Sequence, residues 1–483
     1  MYCTAKRKQT GLRVYFIIGK MGVVYAKEHF NEGLSSNDSF SGRKPFRNYN
    51  MEDIQARVDK VSIDGLGRTK DDIIVQSVQD LMKARNLQEV ILKAHRTREK
   101  LSSLGCFKNI GIFIDTSSGE GSSPHGYEVT FSVQEMRRIV GGVNIITSVG
   151  SNECPVQFSL KFPNMLGRGE TAAVDYTYGL EKTGNFSVSF QKPFFGALSP
   201  TFTASLFRNN EQWQPSGYGL LGYGSLLDFS FFSAAHVRHN LQWEGAFRNL
   251  SCLSRNVAFA VREQSGPSLK SSVRHILTVD HRNAPVFPTR GSAFQLNSEY
   301  AGLGGNIGFF RNEAFFEMNT QLLEDVVVQT CIQAGYLNRF SDKTVSICDK
   351  FFLGGPSSVR GFRLRGVGPH VDKNAVGADA YWAVGLHLFM PLPFRPWAFG
   401  LGERCRTHLF LTAGNIGQFN FTDDLSHNAN EVTKDARMSC GVGLAVRVLS
   451  AVRLELNYCV PLSAREGDAL SPGVQFGIGI NML

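Results

Sequence analysis

Phe352-Leu353-Gly354-Gly355-Pro356-Ser357-Ser358-Val359-Arg360-Gly361-Phe362 sets an arginine in a glycine-rich turn between segments that read as membrane-crossing β-strands. A guanidinium cannot face lipid. It belongs in a water-filled lumen or at the membrane edge, so this stretch reads as the tip of a long loop that Arg360 holds inside a barrel.

The flanking sequence supplies the wall. Trp382, Val384, Leu386, Leu388 and Met390 alternate with Ala383, Gly385, His387 and Phe389. Likewise Val452, Leu454, Leu456, Tyr458 and Val460 alternate with Arg453, Glu455, Asn457 and Cys459. One face suits lipid and the other water. The last strand repeats the pattern, with Val474, Phe476, Ile478, Ile480 and Met482 opposite Gln475, Gly477, Gly479 and Asn481. An unpaired strand edge in lipid costs several kcal/mol per backbone group. The last strand is therefore expected to meet a first strand near 139–147, with Ile139, Val143 and Ile145 at the seam. At about 9–11 residues per tilted strand, residues 139–483 hold about 16 strands.

Composition agrees. Forty-nine glycines, 37 phenylalanines and 13 tyrosines, with only 19% charged residues, suit curved strands and aromatic girdles. Mean hydropathy is −0.13, and no uncharged apolar run approaches the ~20 residues of a spanning helix. Nine cysteines without a C-x-x-C pair indicate neither a zinc site nor a disulfide framework. Of the net charge of +9, residues 1–50 carry +6. The basic character thus belongs to the tail rather than to a nucleic-acid-binding face. Residues 1–52 read as a basic, disordered extension. The apolar run Val14–Ile18 is broken by Lys20 and no cleavage site follows, which argues against a secretory signal. Gly217-Tyr218-Gly219-Leu220-Leu221-Gly222 fits a dinucleotide motif by letters but precedes no helix, and no H-E-x-x-H, P-loop or G-x-S-x-G spacing occurs. Neither enzymatic activity nor a cofactor or metal is expected.

Residues 53–137 read differently. Val58, Val61 and Ile63 form a strand before Gly65-Leu66-Gly67, and Thr69-x-x-Asp72 has capping-box spacing for a helix over 71–83. Leu87, Val90, Ile91, Ala94, Leu101 and Leu104 recur at helical spacing and Gly105 provides a left-handed stop. Strands over 107–116 and 126–135 complete a β-α-α-β-β unit.

Val359-Arg360-Gly361-Phe362 after Gly-Gly resembles the lumen-loop motif of the outer-membrane β-barrel assembly superfamily, the bacterial BamA type. Three further stretches are similar to that family: Pro163–Glu170 to its turn after the second strand, Leu409–Asn415 to its thirteenth strand, and Gln475-x-Gly477-x-x-Ile480-x-Met482 to the mitochondrial β-signal. The β-α-α-β-β unit resembles a single POTRA module. The likeness spans 54–483 and points to the mitochondrial branch, the barrel core of the sorting and assembly machinery.

The resemblance implies a 16-stranded transmembrane β-barrel (138–483) behind one α+β POTRA domain (53–137), the module lying in the intermembrane space. It implies a barrel in the mitochondrial outer membrane that inserts β-barrel precursor proteins through a lateral seam. Implied partners are those precursors, metaxin-like subunits, the cristae-organising complex and membrane lipid, without nucleic acid. In the family the lumen arginine meets acidic or aromatic wall groups. The matching positions here are His387 and Thr412, neither a carboxylate, so the family's ion pair does not carry over to them; a stacked arginine, or one hydrogen-bonded to hydroxyl and carbonyl oxygens, is compatible with these positions, and the partner of Arg360 stays open. A passive channel and a polypeptide-translocating barrel of another compartment are the competing readings.

Overall fold

The computed structural model describes residues 54–118, 122–145, 155–179, 183–194, 196, 198–340, 343–392, 404–418, 434–448 and 452–479, with the backbone of two short N-terminal strands. Those strands, β1 (Val14–Ile18) and β2 (Val24–Glu28), pair antiparallel. They depart from the disorder expected over 1–52, because the run Val14–Ile18 consists of β-branched and aromatic residues that favour extended backbone. The chain separates into two compact units, one of 1–140 with 162–172 and one of 141–161 with 173–483.

In the first unit β3 (Arg57–Asp64) leads into α1 (Asp71–Val78), α2 (Leu87–Ser103), β4 (Phe107–Thr116) and β5 (Gly126–Glu135). The sheet order is β3-β5-β4, with β3 parallel and β4 antiparallel to β5. Ile73 and Ile74 of α1, Val90, Ala94 and Leu101 of α2, and Val129, Phe131 and Val133 of β5 are buried, which makes one small core between helices and sheet. Asn86 starts α2 by accepting from Glu89 N at 2.8 Å, and Gly105 follows it at φ +67°.

The capping box foreseen for α1 does not form. Lys70 is the N-cap and makes no side-chain cap bond. Thr69 Oγ1 instead donates to Glu135 at 2.7 Å and accepts from Asn164 Nδ2 at 2.8 Å, while Asp72 pairs with Arg168 at 2.8 Å. The helix is also shorter than 71–83; a single 3₁₀ turn, Leu81–Lys83, occupies the remainder.

Glu135 accepts from the N–H groups of Gly67, Arg68 and Thr69 as well as from that hydroxyl. Burial opposes its charged form, but the bonds from Thr69, Gly67 and Arg68 outweigh burial and hold the carboxyl down at about 2, against an ordinary 4.5. A carboxyl depressed in the folded state contributes stability above its unfolded value, and that contribution disappears as pH falls through the folded one. Acidification from pH 4.5 towards 2 should therefore loosen the loop over 65–69. Amide hydrogen exchange at Thr69 should accelerate relative to Glu135→Gln, whose exchange lacks this dependence.

The second unit contains most of the remaining strands. They are β6 (Val140–Ile145), β7 (Val156–Pro163), β8 (Thr171–Tyr178), β9 (Gly184–Pro193), β10 (Thr201–Trp213), β11 (Tyr218–Ala234) and β12 (Val237–Cys252). After the short helix α3 (Phe259–Glu263) come β13 (Gly266–Asp280), β14 (Gly291–Gly305), β15 (Phe309–Leu323) and β16 (Val326–Arg339). A long connection holding the two-residue strands β17 (His370–Val371) and β18 (Asn374–Ala375) precedes β19 (Ala380–Pro391). The chain continues through β20 (Cys405–Gly417), β21 (Arg437–Val448), β22 (Val452–Ser463) and β23 (Gly473–Gly479). All but β17 and β18 join one 16-stranded sheet in chain order, β6 to β23.

That sheet must curl. Gly361 N–H donates to Gln475 on β23, and Arg365, four residues later, donates to Tyr218 on β11. Ten ladder steps separate those strands, about 48 Å if the sheet were flat, whereas four residues span at most about 14 Å. Only a barrel wall wrapped around the segment brings both within reach. Alternation follows the expected faces: Arg453, Glu455, Asn457 and Cys459 are buried, while Leu456, Tyr458 and Val460 are exposed. Apolar side chains outside and polar ones inside make this a transmembrane β-barrel.

β6 and β23 stand at the two edges of the sheet, and among the described residues no ladder joins them. The closing pair expected there is thus missing from the described residues. β6 is six residues long and carries Gly141-Gly142, which weakens it as a pairing strand.

Candidate functional site

The connection between β16 and β19 fills part of the lumen. Phe351, Leu353, Val359, Phe362 and Val367 join Phe309, Leu337, Tyr381 and Ile416 of the wall in one buried apolar cluster. Turn geometry shapes the tip. Gly361 has φ +82°, and a Cβ there would stand 3.3 Å from Pro461 Cγ and Ser439 Cβ, so only glycine lets the backbone lie this close to β21 and β22.

Arg360 is fully buried, and its guanidinium pairs with Glu455 on β22 at 2.8 Å while lying 5.1 Å from the centroid of the Phe410 ring. The partner that the sequence left open is thus a carboxylate on the fifteenth barrel strand, beyond the two positions carried over, and the guanidinium stacks as well. Glu455 is itself fully buried and also meets Arg453 at 2.9 Å. A buried charge pair needs such extra partners to offset its desolvation. His387 and Thr412 line the same buried layer. His387 Nδ1 lies 3.3 Å from His408 Nδ1, whose other nitrogen meets Asn457 at 2.8 Å, and Thr412 Oγ1 meets Ser439 Oγ at 2.8 Å.

Two motifs read separately in the sequence meet in space. The Gln475 side chain accepts from Gly361 N–H at 3.0 Å and donates to Phe362 O at 3.0 Å, so one amide holds both backbone groups of the loop tip. The backbone reinforces this tie: Ser471 N donates to Gly361 O at 2.9 Å and Arg363 N to Ala469 O at 2.9 Å. The polar position of the β-signal is therefore a loop anchor, and Gly477 follows on the same inward face. Ile480 and Met482 lie outside the described residues. At the other edge Val143 is strongly exposed on β6, Ile139 precedes the strand and is also exposed, and Ile145 ends it.

Arg365 escaped the sequence reading. It adopts φ +56°, stacks between Trp213 at 3.7 Å and Phe352 at 3.8 Å, and donates to Ser216 Oγ at 2.9 Å and Tyr218 at 3.1 Å. A planar guanidinium with five donors suits such a slot. The base of the loop is pinned too, by Asp349 to Arg248 at 2.9 Å and Lys270 at 3.5 Å, with Lys270 also on Glu299 at 2.5 Å. The only trace of these contacts in the sequence is the presence of charged residues on inward faces of strands. Among the described residues this lumen is a set of fixed ties between one loop and several walls.

Residues 164–482 match the Omp85 superfamily domain, and the chain is 42% identical over 434 residues to the Sorting and assembly machinery component 50 homolog of Bos taurus, covering 90% of this chain and 92% of that one. The chain belongs to the Omp85 superfamily. This Omp85 chain is also 37% identical to the SAM50-like protein CG7639 of Drosophila melanogaster, over 89% of its own length and 96% of the relative's. Among solved structures, BamA from Haemophilus ducreyi lacking POTRA domains 1–3 superposes with a TM-score of 0.69 over 97% of this chain and 90% of that one. At 17% identity that likeness speaks for the fold.

Proposed function

We propose that this chain folds β-barrel precursor proteins into the mitochondrial outer membrane, through a seam between β6 and β23, with no chemical step. The name of the Bos taurus relative, Sorting and assembly machinery component 50 homolog, supports the assembly role. One structural observation carries the mechanism: among the described residues the sheet has two unjoined edges, and these belong to the first and last strands. An edge strand offers a row of backbone donors and acceptors, so an incoming strand can add to β6 by ladder bonds while the lumen loop keeps β23 in register. The β-α-α-β-β unit serves as the POTRA module in the intermembrane space. The chain's proposed partners are metaxin-like subunits on the cytosolic side and, across the intermembrane space, the cristae-organising complex.

A photo-crosslinking residue in place of Val143, exposed on β6, should capture the last strand of a precursor during its insertion. The same residue in place of Leu303, exposed on β14, should not. Equal capture at both positions, or capture at neither, contradicts the seam.

A further inference from the structure

A cavity of about 540 Å³ in the first unit is lined by Arg68, Arg138, Ile139, Phe162 and the turn residues 163–167. We propose that it seats an anionic phospholipid, with the phosphate between Arg68 and Arg138 and the acyl chains along Ile139, Phe162, Met165 and Leu166.

The turn is built to hold its apolar residues outward. Asn164 sits at φ +55°, donates to Thr69 Oγ1 at 2.8 Å and accepts from Gly169 N at 2.9 Å, while Lys70 N donates to Gly167 O at 2.9 Å. A Cβ on Gly167 would stand 2.7 Å from Arg68 O, so the turn is pressed against the backbone beside the arginine. Despite these ties Met165 is 62% exposed, Leu166 60% and Ile139 56%. Three large apolar side chains fixed in this position suit hydrocarbon, not water.

Charge selects the headgroup. The three carboxylates nearby are already engaged, Glu135 by Arg68 and three N–H groups, Asp72 by Arg168, and the buried Glu170 by the Arg168 N–H at 2.9 Å. Arg137, Arg138 and Lys70 remain exposed and make the rim positive. Chain continuity agrees as well: Ile139 directly precedes β6 and Phe162 and Pro163 end β7, so part of the lining runs on in sequence into membrane-crossing strands, whose ends are where acyl chains give way to phosphates. The inference rests on the transmembrane fold and is independent of precursor insertion.

The test uses the full chain with Leu166→Trp, in micelles titrated with brominated phosphatidylglycerol or brominated phosphatidylcholine carrying identical acyl chains. Quenching beyond that of the four native tryptophans reports occupancy. Each basic side chain near an anionic lipid is worth about fivefold; Arg68 is already paired with Glu135, so Arg138 alone counts and phosphatidylglycerol should reach half-quenching at about one fifth of the phosphatidylcholine fraction. Adding Arg138→Glu should bring the two curves together, and Met165→Ser should weaken both. Heat-modifiable migration on gels verifies that each variant retains its barrel. Equal quenching by the two lipids in the parent overturns the proposal. Release of the anionic lipid by excess inorganic phosphate also overturns it, because the site would then take a free anion.

Discussion

Glu455→Leu should destabilise the barrel by about 3–5 kcal/mol and abolish most precursor assembly. It leaves the guanidinia of Arg360 and Arg453 buried without the carboxylate they share. Arg360→Ala should be milder, because Glu455 keeps Arg453. The triple variant Arg360→Met, Arg453→Met, Glu455→Leu, which removes every charge of the cluster, should recover much of the urea midpoint in bilayers. Assembly should stay low, since the loop tip keeps Gln475 but has lost its charged tie to β22. Were Glu455→Leu as stable and active as the parent, the buried pair would not be what holds the loop.

Gln475→Leu should cost about 2–6 kcal/mol, the sum of two buried backbone groups left without partners at about 1–3 kcal/mol each. Gln475→Glu separates the two bonds. An ionised carboxylate still accepts from Gly361 N–H but cannot donate to Phe362 O, so its midpoint should fall between those of the parent and the leucine variant. Hydrogen exchange at Gly361 should quicken strongly in Gln475→Leu and little in Gln475→Glu. Unchanged exchange in both would remove Gln475 from the anchor.

The fold was legible because a membrane wall writes itself as period-two alternation, and the inward set Arg453, Glu455, Asn457 and Cys459 was apparent from spacing alone. Strand spans over 107–116 and 126–135 in the first unit were legible from the Gly-, Ser- and Pro-rich stretch between them. The partner of Arg360 was not. Glu455 was read as one water-facing residue among several, and which wall position a loop 95 residues away reaches depends on how the barrel curls. The capping box failed because Thr69 is claimed by Glu135, a residue 66 positions away that no local motif includes. Arg365 was invisible because its slot is assembled from Trp213, Tyr218 and Phe352 on separate segments. Local pattern specifies faces and elements, while long-range side-chain pairing needs the three-dimensional path.

The tether from Gln475 to the loop tip makes the two edge strands of the sheet unequal. On one side β23 is bolted through its side-chain amide to a segment that Arg365 fastens to the far wall. On the other, β6 is short and rich in glycine. Under the proposed seam, β6 would be the moving leaf and β23 the fixed jamb, with a guest strand threaded beside the leaf while the jamb keeps its alignment.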